Sequence, residues 1–194
     1  SFKQRRTTMT KAEAKIKAKE LVAKMTVEEK ISQLLYTSAP IERLGIKAYN
    51  WWNEGSHGVA RSGTATVFPH AIAMAATFDP AVALRFGEVA STEYRYLGFA
   101  TALSPQIDLA TEPRWRRVMA TFGEGSKLAA DFARAYTDGF QTSKGADARE
   151  GAWGVNSVNA MAKHWPGGGT GEAGRDAHFS FGKYAVYPGK NFEE

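Results

Sequence analysis

The feature that most constrains this chain is a repeated order: a short apolar run, a polar cluster directly after it, then a longer segment with helical periodicity. The runs at 46–52, 99–103 and 158–161 read as buried strands, each followed by a polar loop containing Gly or Pro. Polar residues gather just past their ends: Asn53 and Glu54, Gln106 and Asp108, Lys163 and His164. Helix starts are equally legible. Thr10 with Glu13, and Thr26 with Glu29, form Ser/Thr-x-x-Glu capping boxes, in which each side chain bonds the other residue's backbone N–H; they predict helices over 10–25 and 26–36. Asp79 as N-cap with Pro80 at the first helical position opens a third, which stops at Gly98. A fourth, over 124–141, sets Leu128, Phe132, Ala135, Tyr136 and Phe140 at helical spacing.

Strands alternating with helices predict an α/β fold with a parallel sheet. Polar groups collected past strand ends favour a TIM-type (β/α)8 barrel over an open sheet, because barrel enzymes place their chemistry on that face. Such a barrel needs about 250 residues, so the 194 residues are expected to supply its N-terminal portion only. One unit over 1–194 is expected, with 1–36 as leading helices. The closing segment FSFGKYAVYPGKNFEE carries no terminating feature, as in a portion of something longer. There is no internal repeat and no low-complexity tract, and 143–151 (SKGADAREG) is the best loop candidate.

A net charge of +5 invites a nucleic-acid reading. Its distribution argues against one: residues 1–30 hold nine Lys/Arg against four Glu, and the rest of the chain balances sixteen against sixteen. The excess lies on a lysine-rich helix with an Ile16/Leu21/Val22/Met25 stripe, the pattern of a solvated surface helix. No run approaches the roughly 18 apolar residues of a membrane helix, and SFKQRR lacks the apolar stretch of a signal peptide, although a signal removed before Ser1 would leave the same start. With no cysteine, disulfides, thiolate catalysis and thiolate zinc sites are excluded. The four histidines show no H-E-x-x-H or other close ligand spacing, so no metal is expected. Gly169–Gly174 formally matches G-x-G-x-x-G, but Lys-His-Trp-Pro intervenes before the glycines and no helical period follows. A dinucleotide turn needs both a strand leading tightly in and a helix opening out, so no cofactor is expected.

Three segments can carry chemistry. In Trp51-Trp52-Asn53-Glu54-Gly55-Ser56-His57-Gly58, two indoles beside a carboxylate suit a sugar, rings covering its C–H face while the carboxylate accepts its hydroxyl hydrogens; core tryptophans with a capping Glu is the alternative. Glu112-Pro113-Arg114-Trp115-Arg116-Arg117 reads as an anion clamp or as a salt-bridged loop. In Ala162-Lys163-His164-Trp165-Pro166-Gly167-Gly168-Gly169, neighbouring side chains can serve one ligand only if the strand ends there, and Pro and Gly supply that ending.

In their order and spacing, MTVEEKISQLL, YNWWNEGSHGVARSGTATVFPHAIAMAATFD, LSPQIDLATEPRWRRVMATFGE and AMAKHWPGGG with Gly174-Arg175-Asp176 resemble glycoside hydrolase family 3, from about Met25 onward. The resemblance implies an exo-acting, retaining β-glucosidase, with β-xylosidase of the same family or a non-catalytic carbohydrate-binding fragment as alternatives. It implies that Glu54 holds hydroxyls of the nonreducing-end sugar, that Arg117, Lys163 and His164 bond the same ring, and that Arg175 and Asp176 lie on a further loop near it. The family's nucleophile, in a Ser-Asp-Trp-like context, and its acid/base Glu have no counterpart here, so no catalytic residue is assigned. Partners implied are β-linked glucosides or oligosaccharides, the remainder of the barrel and a following domain; a homo-oligomer is compatible with it, and a periplasmic or secreted location is implied. The family pattern Asp-Pro-Arg-Trp-Gly-Arg has Glu112 for its Asp and Arg116 for its Gly here, and Glu54 stands where many glucosidases carry Asp, a choice similar to the family's xylosidases.

Overall fold

The computed structural model describes residues 10–142, 154, 156–165 and 167–185; the loop expected at 143–151 lies outside them, as does the end of the closing aromatic segment. Both capping boxes form. Helix α1 (Lys11–Lys24) starts where Thr10 Oγ1 accepts the Glu13 N–H at 3.2 Å and Glu13 Oε2 accepts the Thr10 N–H at 2.7 Å. Helix α2 (Val27–Ser32) repeats this with Thr26 and Glu29 at 3.2 and 2.9 Å. It ends about a turn earlier than the apolar period through residue 36 predicts. The Gln33 amide donates to the Ala39 carbonyl at 2.9 Å and the Ser38 hydroxyl to the Leu35 carbonyl at 3.0 Å. These side-chain bonds favour a turn over another helical turn, and the chain enters β1 (Thr37–Ser38).

Strand β1 pairs with β2 (Tyr49–Asn50) antiparallel, Thr37 opposite Asn50 and Ser38 opposite Tyr49. The expectation of a parallel partner for the 46–52 run is therefore corrected. Only ten residues join the two strands, and a parallel pair needs a crossover of about a dozen or more; an Ile41–Ile46 bridge closes a hairpin instead. The parallel reading holds for the other two runs. Strand β3 (Thr101–Ala102) pairs with β4 (Asn159–Ala160), Thr101 opposite Asn159, across a connection that carries the long helix α5 (Ser126–Gln141). Two further helices precede β3: α3 (Ala71–Ala75), which the sequence reading does not contain, and α4 (Pro80–Tyr96), whose N-cap Asp79 accepts the Ala81 N–H at 3.0 Å. Among the described residues the strands make two two-stranded sheets and no closed barrel.

The core is the contact between α4 and α5. Phe86, Ala90 and Tyr94 meet Phe132, Tyr136 and Phe140, all buried, with the Tyr136 and Phe140 rings stacked at 4.5 Å. The helices approach on glycine: a Cβ on Gly139 would lie 2.5 Å from the Leu84 carbonyl oxygen, and one on Gly87 would lie 2.7 Å from that of Tyr136. Burial raises the hydroxyl pKa of both Tyr94 and Tyr136, so each stays a neutral donor. Tyr94 donates to Asn53 Oδ1 at 2.6 Å and Tyr136 to the Gly55 carbonyl at 2.8 Å. The two helices thus grip the residues on either side of Glu54.

Gly139→Ala places two effects in opposition. Intrinsic helix propensity favours Ala by up to about 1 kcal/mol, whereas overpacking against a backbone atom costs about 1–3 kcal/mol. With the obstacle a carbonyl oxygen at 2.5 Å, the steric term wins, and the denaturant midpoint of the complete protein should fall. A midpoint that holds or rises would show that α4 and α5 are not in backbone contact.

Candidate functional site

The site forms where three chain segments end side by side. Past β2, the Asn53 amide donates to the carbonyls of Trp51 at 2.8 Å and Thr101 at 2.7 Å, tying this loop to β3. Past β3 and β4 the parallel pairing continues: Lys163 N–H donates to the Pro105 carbonyl at 3.0 Å and Ile107 N–H to the Lys163 carbonyl at 2.7 Å. Glu54, Asp108, Lys163 and His164 are thereby brought together from positions more than a hundred residues apart in the chain. The Lys163–His164 peptide is cis.

Lys163 Nζ donates to Glu54 Oε2 at 3.0 Å, the two side chains 14% and 29% exposed. A buried lysine at a strand end needs such a partner, since an unpaired charge removed from water is costly. His164 is held on both sides: Nδ1 lies 3.0 Å from Asp108 Oδ2, and Nε2 lies 3.2 Å from Arg117 Nη1. The Asp108 side chain is fully buried. It also accepts the backbone N–H groups of His164, at 3.3 Å, and of Gly168. Burial alone would raise its pKa; the hydrogen bonds from His164 and Gly168 outweigh burial and hold it below the usual carboxylate range. A side chain at Gly168 would meet Trp115 and Asp108 Oδ1 at 2.7 and 2.8 Å, so the glycine is what admits its backbone to the carboxylate. Gln106 completes the support, its amide donating to the Arg117 carbonyl at 3.3 Å.

Glu54 and Arg117 line one cleft of about 480 Å³ together with Ser56, His57, Arg61 and His70. Carboxylate, hydroxyl, guanidinium and imidazole groups on its walls offer acceptors and donors, the mixture that vicinal hydroxyls can satisfy, and Lys163 and His164 stand behind it, bonded to Glu54 and Arg117.

Of the six residues singled out in the sequence, the structure unites Glu54, Arg117, Lys163 and His164. Arg175 and Asp176 lie outside that group, with no hydrogen bond to those four among the described residues, and each has partners of its own. Asp176 accepts from Arg116 Nε at 2.9 Å, from His178 Nδ1 at 2.7 Å and from the His178 backbone at 2.9 Å. Against burial, which raises it, these bonds and the His178 charge hold its pKa down to about 2. Arg175 is half exposed and faces Glu172 at 4.0 Å. Arg116, in place of the family's Gly, stays outside the positive-φ region and lies 5.3 Å over Phe179 while bonding Asp176, so this substitution builds a contact. The Glu112-Pro-Arg stretch is a salt-bridged turn: Glu112 accepts from Arg114 at 2.9 and 2.7 Å, which holds the carboxyl at about 2. The glycine loop forms two 3₁₀ turns, Gly168–Thr170 and Glu172–Gly174, and no helix opens from it, the geometry opposite to a dinucleotide turn.

Sequence reasoning noticed Asp108 as a polar residue past a strand but did not assign it to the site, and it missed the two tyrosine hydroxyls. The available signal was tyrosine where phenylalanine would fill the core equally well: a buried hydroxyl requires a partner. Among the described residues, no group of three or more His, Cys, Asp or Glu is arranged to hold a metal, and no helix is long and apolar enough to cross a membrane.

Residues 10–184 match the model of the glycosyl hydrolase family 3 N-terminal domain. A probable β-glucosidase C of Aspergillus flavus is 44% identical over 134 residues, 69% of this chain and 20% of that protein. A periplasmic β-glucosidase/β-xylosidase of Dickeya chrysanthemi is 39% identical over 133 residues, 68% of this chain and 19% of that one. Among solved structures, a β-glucosidase from Erythrobacter marinus superposes with a TM-score of 0.61 at 31% identity, covering 76% of this chain and 18% of that one. The chain thus spans about a fifth of the length of these relatives. On a family match over nearly its whole length, to the model of the N-terminal domain, the chain belongs to glycosyl hydrolase family 3.

Proposed function

We propose that the complete protein is an exo-acting β-glucosidase that removes terminal nonreducing β-D-glucosyl residues with retention, this chain supplying sugar-binding groups. The observation that carries the reading is that Glu54 and Arg117 line one cleft, each hydrogen-bonded to a residue of the Lys163–His164 pair at the end of β4. In this reading the sugar's hydroxyls take over donors and acceptors that now satisfy one another, and β3 and β4 are strands of a barrel completed by residues beyond Glu194. Arg175 and Asp176 border the subsite on the glycine loop, Asp176 acting through Arg116 and His178. The relatives' printed activities, β-glucosidase and β-glucosidase/β-xylosidase, agree with it.

Retaining hydrolysis needs two carboxyl groups about 5–5.5 Å apart, one as nucleophile and one as acid and then base. Neither carboxylate of the first cluster is free for this: Glu54 is paired with Lys163, and Asp108 is enclosed by N–H donors. In keeping with what the family resemblance implies, both catalytic carboxyls are assigned to the remainder of the barrel and a following domain. β-Xylosidase activity is the second reading, favoured by Glu54 in place of a shorter Asp.

Replacing Lys163 by Ala in the complete enzyme removes a charged hydrogen bond worth about 1.5–3 kcal/mol, so kcat/KM should drop about tenfold or more. Kinetics unchanged from wild type would remove Lys163 from the sugar site. For Glu54→Asp, a carboxylate one methylene shorter leaves room for a hydroxymethyl group; the glucoside-to-xyloside ratio of kcat/KM should rise, within the roughly 1–3 kcal/mol that one methylene discriminates. A ratio that stays or falls contradicts the size-filter role. Purified 1–194 should not turn over aryl β-glucoside or β-xyloside. If it did so at an enzyme-like rate, roughly 1–10³ s⁻¹, a carboxylate assigned here to binding would be the nucleophile.

A further inference from the structure

His164 lies between two partners whose hydrogens are fixed. A guanidinium has N–H donors and no lone pair, so at 3.2 Å from Arg117 Nη1 the ring nitrogen Nε2 contributes a lone pair. The other ring nitrogen, Nδ1, lies 3.0 Å from Asp108 Oδ2, and against an ionised carboxylate that contact requires a hydrogen on Nδ1. Ionised is the state its surroundings demand. Asp108 accepts the backbone N–H groups of His164 and Gly168 in addition to the ring, so its oxygens face donors. A doubly protonated ring would set an Nε2–H against the Arg117 N–H, two donors and two positive charges at 3.2 Å.

We propose that Asp108 is a positioning residue that holds His164 as the neutral ring with its hydrogen on Nδ1, so that Nε2 serves as an acceptor coupled to the Arg117 donor. Its use rests on the glycosidase reading. A sugar hydroxyl both donates and accepts, so it can enter between the two side chains, giving its hydrogen to Nε2 and receiving one from Nη1. A fluorine in place of that hydroxyl donates nothing and leaves the lone pair unmatched. The pair therefore selects for a free hydroxyl, and Asp108 sets that selectivity without touching the substrate.

The test begins with the sugar-free complete protein labelled with ¹⁵N in its histidine rings, His164 being assigned by its loss in His164→Gln. Long-range ¹⁵N–¹H correlation at neutral pH should show a protonated Nδ1 and an unprotonated Nε2 in the wild type, and a shift toward the other tautomer in Asp108→Asn. A wild-type ring protonated on Nε2, or on both nitrogens, overturns the proposal; this holds whether or not the protein cleaves glycosides, so a lack of turnover would count against the glycosidase reading alone. Kinetics supply the second arm. Asp108→Asn should lower kcat/KM about tenfold or more, and the monodeoxyfluoro glucoside most penalised in the wild type should lose much of that penalty in the variant. An undiminished penalty overturns the coupling, and should the variant fail to fold, the wild-type tautomer still decides.

Discussion

A dry carboxylate must be surrounded by donors, and the architecture around this site follows from meeting that demand at Asp108. Its side chain has no exposure, and its donors come from the segment after β4: the His164 ring, the His164 backbone and the Gly168 backbone. An ionised group buried without them would cost several kcal/mol. The end of β3 is thereby fastened to the end of β4 and to the start of the glycine loop, although more than fifty residues separate them. With that bond set in place, Lys163 lies where it reaches Glu54, and the ring of His164 lies where it meets Arg117.

The second layer of support is apolar with polar tips. The α4–α5 contact is built from aromatic rings packed over glycine, and its two tyrosines end in buried hydroxyls that need protein partners. Those hydroxyls hold Asn53 and the Gly55 carbonyl, leaving Glu54 between two fixed neighbours. Core packing and site geometry are thus one construction: the rings supply burial, and their oxygens fix the loop that carries the carboxylate. Functional groups held by packed elements in this way keep their spacing better than groups on free loops.

Much of this was legible because it depends on local rules. Capping boxes at Thr10 and Thr26, the Asp79-Pro80 start and the helical face through Phe132, Tyr136 and Phe140 are nearest-neighbour signals, and each element formed. The parallel pairing of β3 with β4 followed from the helix between them. Where pairing is decided by connection length, local pattern was silent: the 46–52 run looks the same whether its partner is parallel or, as here, an antiparallel strand ten residues upstream. The five-residue α3 carries too few turns for a period to show. Glu54, Arg117, Lys163 and His164, singled out from motif and resemblance, are the candidates that the fold brings together; Asp108 was not singled out, because one aspartate past a strand carries no local mark of the donors that fold onto it. Arg175 and Asp176 were read as one pair and have different surroundings, the first half exposed and the second enclosed by Arg116 and His178.

The side chains of the candidate site are bonded to one another, and that bears on what binding can gain. Glu54 with Lys163, and Arg117 with His164, are donor–acceptor couples, each joined by a hydrogen bond. A hydroxyl that enters between such partners exchanges one set of bonds for another, so its net contribution is the difference left by the exchange, at most the roughly 1.5–3 kcal/mol of a hydrogen bond to a charged group. The same arrangement makes a missing hydroxyl expensive, since a group that separates a couple without replacing both bonds leaves a partly buried charge unmatched. A site of mutually paired side chains therefore gains little affinity from each correct contact and loses much from each wrong one. On the proposed glycosidase reading, that asymmetry suits discrimination between sugars that differ by a single hydroxyl, and it depends on the couples being held at fixed spacing, which is what the buried Asp108 and the two tyrosine hydroxyls provide.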